Sequence, residues 1–269
     1  MLGLTVTGLL FLMHPKTEID SFNKSSIIIS EDGFTYCDSE HYPFTTFETI
    51  TLTEGKSFEE WVLKNKIRNN IQLVIANNAG LFVPSKLFNQ KIVNDYYDKF
   101  DKRKNSDILK TDITSNHIKS ITYKVSSSII SIKENYFKNS NLVHYQTIIY
   151  DYLIAKNINE KKLYVNIQTK SIDIFLFFNE QLQLVNRYPN NGVDSFLYFL
   201  FFIIEKHELN KNEFFICFLG NYLIFKEYYE GAKLYHNNIK FILAKSQNDI
   251  NNTPTPFLID LHAYYFRNS

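Results

Sequence analysis

Apolar positions are densest between Leu163 and Gly220, and their spacing predicts strand, tight turn, strand, strand, helix, strand. Leu163–Ile167 and Ile172–Phe178 are β-branched and aromatic runs flanking a Thr169-Lys170-Ser171 turn. Gln181–Tyr188 alternates apolar and polar residues and stops at Pro189-Asn190-Asn191-Gly192. The stretch Val193–His207 is apolar on nearly every side, the pattern of a helix buried on more than one face, so it is placed between a sheet and another element. Phe214–Leu219 reads as a fourth strand, Tyr222–Leu234 as a helix after a turn at Gly220, and Ile239–Leu243 as a fifth strand. Thr255-Pro256 suits the cap and first turn of a terminal helix over Phe257–Phe266, with a strand as the alternative.

The same order appears earlier, from Ser25 to Ala76. An apolar run at Ser26–Ser30 meets Asp32-Gly33, a hairpin signal, and returns through Phe34–Asp38. Phe44–Leu52 alternates as a third strand. Ser57-Phe58-Glu59-Glu60 has the form of a capping box and opens a helix with Phe58, Trp61 and Val62 on one face. Ile71–Ala76 is a strand that ends in the turn Asn77–Gly80. Beyond it, Phe82–Phe88 leads into a helix over Gln90–Phe100, and Asp101–Asp107 is a charged loop. A strand over Ile118–Val125, a helix over Ile129–Phe137, a short strand at Leu142–Tyr145 and a helix over Thr147–Lys156 complete this part. The polar stretch Asn157–Lys162 separates it from the strand that begins at Leu163, so residues 13–158 and 159–269 are expected to form two halves.

Composition narrows the chemistry. The 269 residues carry 29 Lys and Arg against 28 Asp and Glu, a net charge of +1, which gives no field for nucleic acid or an anionic membrane. Lys102-Arg103-Lys104 is one short basic run beside Asp101 and belongs to a solvated loop. Only 8 residues are Gly, fewer than half of the usual ~7%. The two cysteines, Cys37 and Cys217, sit in apolar runs and read as buried reduced thiols. The seven His residues form no metal-binding spacing, and Asp260 and His262 could share a metal only on a strand. The apolar start Leu2–Met13 has no basic residue before it and is shorter than the ~20 residues of a membrane span, so residues 1–12 read as an upstream extension and the protein as cytoplasmic, without a transmembrane segment.

Two successive copies of strand-strand-strand-helix-strand-helix resemble the actin-like ATPase superfamily, which includes the sugar kinases and the heat-shock ATPase domain. The path from Ser120 through Lys156 to Leu163 is similar to the one that joins the halves in bacterial actin homologues of cell division and type IV pilus assembly. Ser26–Asp38, Leu81–Phe88, Leu142–Thr147 and Val193–Leu200 look like an uncharacterised bacterial family, a domain of unknown function with this fold. The resemblance implies a mixed α/β chain of two actin-like (ribonuclease H-like) halves with a cleft between them. It also implies Mg-ATP in that cleft for an active member.

Such a site needs one small hairpin turn per half to bring backbone amides against phosphate, with a carboxylate near each. The first turn offers Glu31, Asp32 and Gly33, but Phe34 stands where a small hydroxyl residue is expected. The second, Asn166 to Ser171, has neither carboxylate nor glycine, leaving Lys170 as a point charge. The adenosine turn is reduced to Leu219-Gly220-Asn221. No Gly-Gly or Gly-x-Gly occurs in the chain, so neither a P-loop nor a dinucleotide fingerprint is present. If a nucleotide binds, Glu31, Asp32, Gly33, Lys170 and Gly220 are the residues to hold it. The expected function is that of a non-catalytic actin-like protein that binds another protein and needs no cofactor. A divergent Mg-ATP-dependent ATPase or kinase is the alternative. Tyr96, Tyr97, Tyr228, Tyr229, Tyr264 and Tyr265 are candidate interface residues.

Overall fold

Side chains alternate across a strand, so each apolar run here serves two cores at once. In the computed structural model, which describes residues 25–31, 33–38, 48–50, 56–65, 71–156, 160–219 and 225–242, the runs assemble into two five-stranded sheets of the same design. The first contains β1 (Ser25–Ile29), β2 (Phe34–Asp38), β3 (Glu48–Ile50), β4 (Ile71–Ile75) and β8 (Asn141–His144), in the order β3-β2-β1-β4-β8. The second contains β9 (Lys161–Ile167), β10 (Ser171–Phe178), β11 (Gln181–Pro189), β12 (Phe214–Leu219) and β13 (Ile239–Ile242), in the order β11-β10-β9-β12-β13. In each, three antiparallel strands are followed by two that run parallel to the first. The parallel strands bury both faces and are correspondingly apolar.

Helices cover these faces. Phe58 and Val62 of α1 (Lys56–Asn65) and Ile132 of α3 (Ser127–Tyr136) pack with Ile27, Ile29, Leu73 and Ile75 on one side of the first sheet. On the other side, Ile28, Val74 and Ala76 meet α4 (Tyr145–Ile154), whose opposite surface packs on Tyr164, Phe175, Phe177 and Cys217 of the second sheet. The far side of the second sheet carries α5 (Val193–Lys206) and α6 (Lys226–Lys233) on Leu163, Val165, Ile174 and Ile216. A third sheet, β5-β7-β6, lies between β4 and β8 in the chain and consists of β5 (Leu81–Pro84), β6 (Asp107–Ile113) and β7 (Lys119–Ser126), with α2 (Gln90–Phe100) between β5 and β6. Ser126 Oγ caps α3 by accepting from the Ile129 amide at 3.4 Å.

Two expectations change. The helix enclosed between two sheets is α4, with Tyr145–Tyr150 and Leu153 buried, and not α5, where only Phe196, Leu200 and Ile203 are buried. Aromatic residues around α5 reflect one face on the sheet, a flank against α6 and a third face left open. Strand β6 went unpredicted because it is the outer strand of its sheet and only half-buried, so no apolar stripe marks it. The Ser57 side chain, the terminal helix and the Asp260–His262 pair lie outside the described residues.

Candidate functional site between the two sheets

The β1–β2 turn closes with the Ser30 amide donating to the Gly33 carbonyl at 2.7 Å, and the Ser30 hydroxyl donates to the same oxygen at 3.1 Å. Gly33 has φ 150°, a conformation that suits glycine. Glu31 projects from this turn toward the second sheet. The β9–β10 turn closes through the Gln168 amide on the Ser171 carbonyl at 2.8 Å, and the Lys170 ammonium reaches across to the Glu31 carbonyl at 3.4 Å. The structure therefore brings Glu31, Gly33 and Lys170 together, as expected of two facing turns. Asp32 and Gly220 lie outside the described residues.

The gap behind these turns is occupied by a polar row that crosses the second sheet. Asn166 of β9, Asp173 of β10 and Arg187 of β11 are register partners, side by side on the face toward α4. Asp173 is fully buried. Its carboxylate accepts from Tyr145 Oη at 2.6 Å and from Gln146 Nε2, Asn166 Nδ2 and Gln168 Nε2, each at 3.0 Å. Arg187 donates to the carbonyls of Ala76 at 3.4 Å and Asn78 at 3.0 Å, to Tyr145 Oη at 2.9 Å, and forms an ion pair with Glu31. A buried charge without such partners would cost several kcal/mol, about the scale on which a protein is stable. Burial opposes the Arg187 charge, and the carboxylates of Asp173 and Glu31 more than offset that, holding its pKa above the ordinary value. Burial and the Asp173 charge push the Tyr145 hydroxyl well above the usual phenol range, so it stays a donor.

A second polar cluster sits at the start of α4. Its N-cap residue, His144, makes no side-chain cap. Asp112 of β6 takes that role from outside the helix, accepting from the His144 amide and the Thr147 hydroxyl, both at 2.7 Å, and from Tyr123 Oη at 2.9 Å. Burial raises the Asp112 pKa from 3.8 to about 6, against the pull of those three donors. His144 is fully buried with Nε2 3.0 Å from the Asn78 carbonyl, and burial pushes its pKa down to about 3. Gly80 is wedged alongside: its amide donates to Gln146 Oε1 at 2.8 Å, and a Cβ there would lie 2.6 Å from Ile121 Cγ2.

Other expectations resolve plainly. Tyr96 is exposed, Tyr229 is half-buried, and Tyr97 and Tyr228 are buried, so the latter two are core residues and not interface candidates. Both close their helices onto neighbours: Tyr97 Oη donates to the Ala79 carbonyl at 3.3 Å and Tyr228 Oη to Asn190 at 2.7 Å. Tyr264, Tyr265 and the Cys37 side chain are outside the described residues. Cys217 is a buried free thiol. Arg103 is held by Asp98. Among the described residues, no group of three or more His, Cys, Asp or Glu is placed to hold a metal ion, and no helix is long and apolar enough to cross a membrane.

The residues that dominate the site, Asp173, Arg187, Tyr145, Gln146 and Asp112, were not singled out from the sequence. A lone Asp inside the apolar run Ser171–Phe178 is the signal that could have found the first of them, because a charge on a buried strand demands partners.

Paired sheets of one design with a helix between them and a cleft bounded by two hairpin turns define the actin-like ATPase fold. The chain is similar to a solved protein from Bacteroides thetaiotaomicron VPI-5482, of actin-like ATPase fold and unknown function, with TM-score 0.75, 15% identity, and coverage of 90% of this chain and 95% of that one. It is also similar to the PilM-PilN type IV pilus biogenesis complex, with TM-score 0.53, 9% identity, and coverage of 91% of this chain and 98% of that one. No curated protein matches. Residues 15–239 match the family described as protein of unknown function (DUF3822), and the chain belongs to that family.

Proposed function

We propose that this protein is a non-catalytic member of the actin-like fold that acts by binding another protein, with its halves divided near residue 158. The observation that carries this reading is the ion pair between Glu31 and Arg187, together with the Lys170 contact to the Glu31 carbonyl. These contacts tie the two hairpin turns to each other where an active member would need free amides and charges for phosphate. The one buried carboxylate near the second turn, Asp173, already accepts four hydrogen bonds and is closed to solvent. The described donors are committed to carbonyls and carboxylates of the chain itself, a set that does not fit Mg-nucleotide. A fold kept while its phosphate turns are filled is suited to presenting surfaces, and the likeness to a protein solved within a PilM-PilN complex supports a protein partner.

The competing reading, an ATPase or kinase built on Glu31, Asp32 and Gly33, is favoured by one observation: the acidic turn and Lys170 do converge. Calorimetry and thermal-shift measurements with Mg-ATP separate the two. Absence of heat and of any shift at millimolar nucleotide is the expected result. Saturable micromolar binding that disappears in Asp32→Ala would overturn the proposal.

A further inference from the structure

The first sheet ends in a socket of oxygen atoms. Strands β1, β4 and β8 are mutually parallel, with β4 in the middle, and the chain just beyond each of them turns oxygen toward the cleft. Glu31, past β1, supplies a carboxylate. Ala76 and Asn78, past β4, supply main-chain carbonyls, and Tyr145, directly past β8, supplies its hydroxyl. The crevice outside the carboxyl ends of parallel strands is where open α/β sheets bind their ligands. Here the occupant comes from the other sheet. Arg187 of β11 donates through Nη1 to Tyr145 Oη at 2.9 Å and to the carbonyls of Asn78 at 3.0 Å and Ala76 at 3.4 Å, while Nη2 pairs with Glu31. Its side chain is 9% exposed. The socket is also held by bonds in which the arginine has no part: the Ala76 amide donates to the Ile29 carbonyl at 2.7 Å, and the Asn78 carbonyl lies 3.0 Å from His144 Nε2.

We propose that Arg187 is a built-in ligand: its guanidinium fills the crevice at the carboxyl ends of β1, β4 and β8 and clasps the second sheet to the first, so that closure of the cleft needs no bound molecule. Geometry gives the first reason. The acceptors come from the ends of three strands and are shared between two nitrogens, a spread that a planar guanidinium matches and the single nitrogen of an ammonium does not. Charge gives the second. Arg187 is the register partner of Asp173 in its own sheet and the ion-pair partner of Glu31 in the other, so one cation serves a carboxylate on each side. Lys170 adds a second contact from the same sheet to the same turn, at the Glu31 carbonyl. The apolar packing of α4 on both sheets holds their bases together, which leaves the clasp to govern the mouth where the two hairpin turns face each other. Such a clasp rests on the reading of the cleft as filled by the chain's own groups. It adds that closure is constitutive, so the surface offered to a partner is that of the closed form.

Spin-label distances across the mouth test the clasp on the full chain. Labels go on Glu60→Cys in α1 and Asp194→Cys in α5, both exposed positions, in a Cys37→Ser background where Cys217 is buried. With Arg187 in place the distances should form one narrow distribution. Arg187→Ala, checked for a native circular dichroism spectrum, should give a longer and broader one. Millimolar methylguanidinium should refill the socket and restore the narrow distribution, while sodium chloride at the same concentration should not. Arg187→Lys should stay long and broad. A broad distribution with Arg187 present, an unchanged one in Arg187→Ala, restoration by lysine, or no restoration by methylguanidinium would overturn it. Should Arg187→Ala misfold, Glu31→Gln removes the charge at the rim alone and should lengthen the same distances; unchanged distances there would overturn the clasp as well. Calorimetry with Mg-ATP keeps the two readings apart. Nucleotide binding together with a mouth that opens in Arg187→Ala would end the non-catalytic reading and leave the clasp standing, and no binding with an unchanged mouth would do the reverse.

Discussion

Tyr145 donates its hydroxyl to Asp173 at 2.6 Å, joining the first residue of the central helix to β10 of the second sheet. The same hydroxyl accepts from Arg187, which reaches on to Glu31 in the first hairpin turn. One tyrosine thus links a buried carboxylate to an ion pair that crosses the cleft. Polar groups so placed stabilise only as a set, since each is buried and each relies on the next.

Removing the carboxylate should therefore be costly. Asp173→Ala leaves the Tyr145 hydroxyl, three amide groups and part of the compensation for Arg187 without an acceptor, and should destabilise by about 3–5 kcal/mol. Urea unfolding checks this. A double variant with Arg187→Ala should lose less than the two single losses added, because the second change removes a charge that the first left uncompensated. Strict additivity would show that the two residues do not act as a unit.

Gly80 should be irreplaceable even by alanine. Its added Cβ would meet Ile121 Cγ2 at 2.6 Å, His144 Nδ1 at 3.0 Å and Gln146 Oε1 at 3.1 Å, all on buried residues. Gly80→Ala should cost about 1–3 kcal/mol through overpacking, read as a drop in urea midpoint at unchanged slope.

Asp112 and His144 should give the protein an opposed pH response. The Asp112 carboxyl has a folded pKa of about 6 against 3.8 ordinarily, so between these values the folded chain holds the extra proton. Its contribution to stability therefore rises as pH falls from about 7 toward 4. His144 runs the other way, with about 3 folded against 6.5, so it destabilises as pH falls through 6.5. Comparing wild type with Asp112→Asn isolates the first effect, since other groups cancel in the difference. The gap should move in favour of the wild type by about 1–3 kcal/mol between pH 7 and pH 4. A gap that stays level would mean Asp112 titrates as an ordinary aspartate.

Cys217 should be inert in the native protein. Burial pushes its thiol up to about 11, although Lys162 and Lys240 pull the other way, and it is 2% exposed. In a Cys37→Ser background, a thiol reagent at pH 8 should label nothing until the chain is unfolded and then label one group. Rapid native labelling would contradict the burial.

Much of this architecture was legible in residue order. Period-two runs with turn residues between them located the strands of both sheets, and Asp32-Gly33 located the first hairpin. The half-exposed strand β6 and the enclosure of α4 were not legible. Periodicity reports how many faces of an element are apolar, and aromatic residues on α5 imitate a second buried face that the fold leaves in solvent. Tyr96 and Tyr97 make the same point one residue apart: composition treats them alike, but the rotation of α2 exposes one and buries the other.

The sequence by itself determined the repeated strand and helix order and the poverty of glycine at the phosphate turns. These are local properties, written in spacing and turn chemistry. Only the tertiary structure decided what stands between those turns. Asp173, Arg187, Tyr145 and Glu31 are up to 156 residues apart along the chain, and no local pattern couples them. They meet because the two sheets pack on opposite sides of α4, and at that depth each charge must find its partner within the protein.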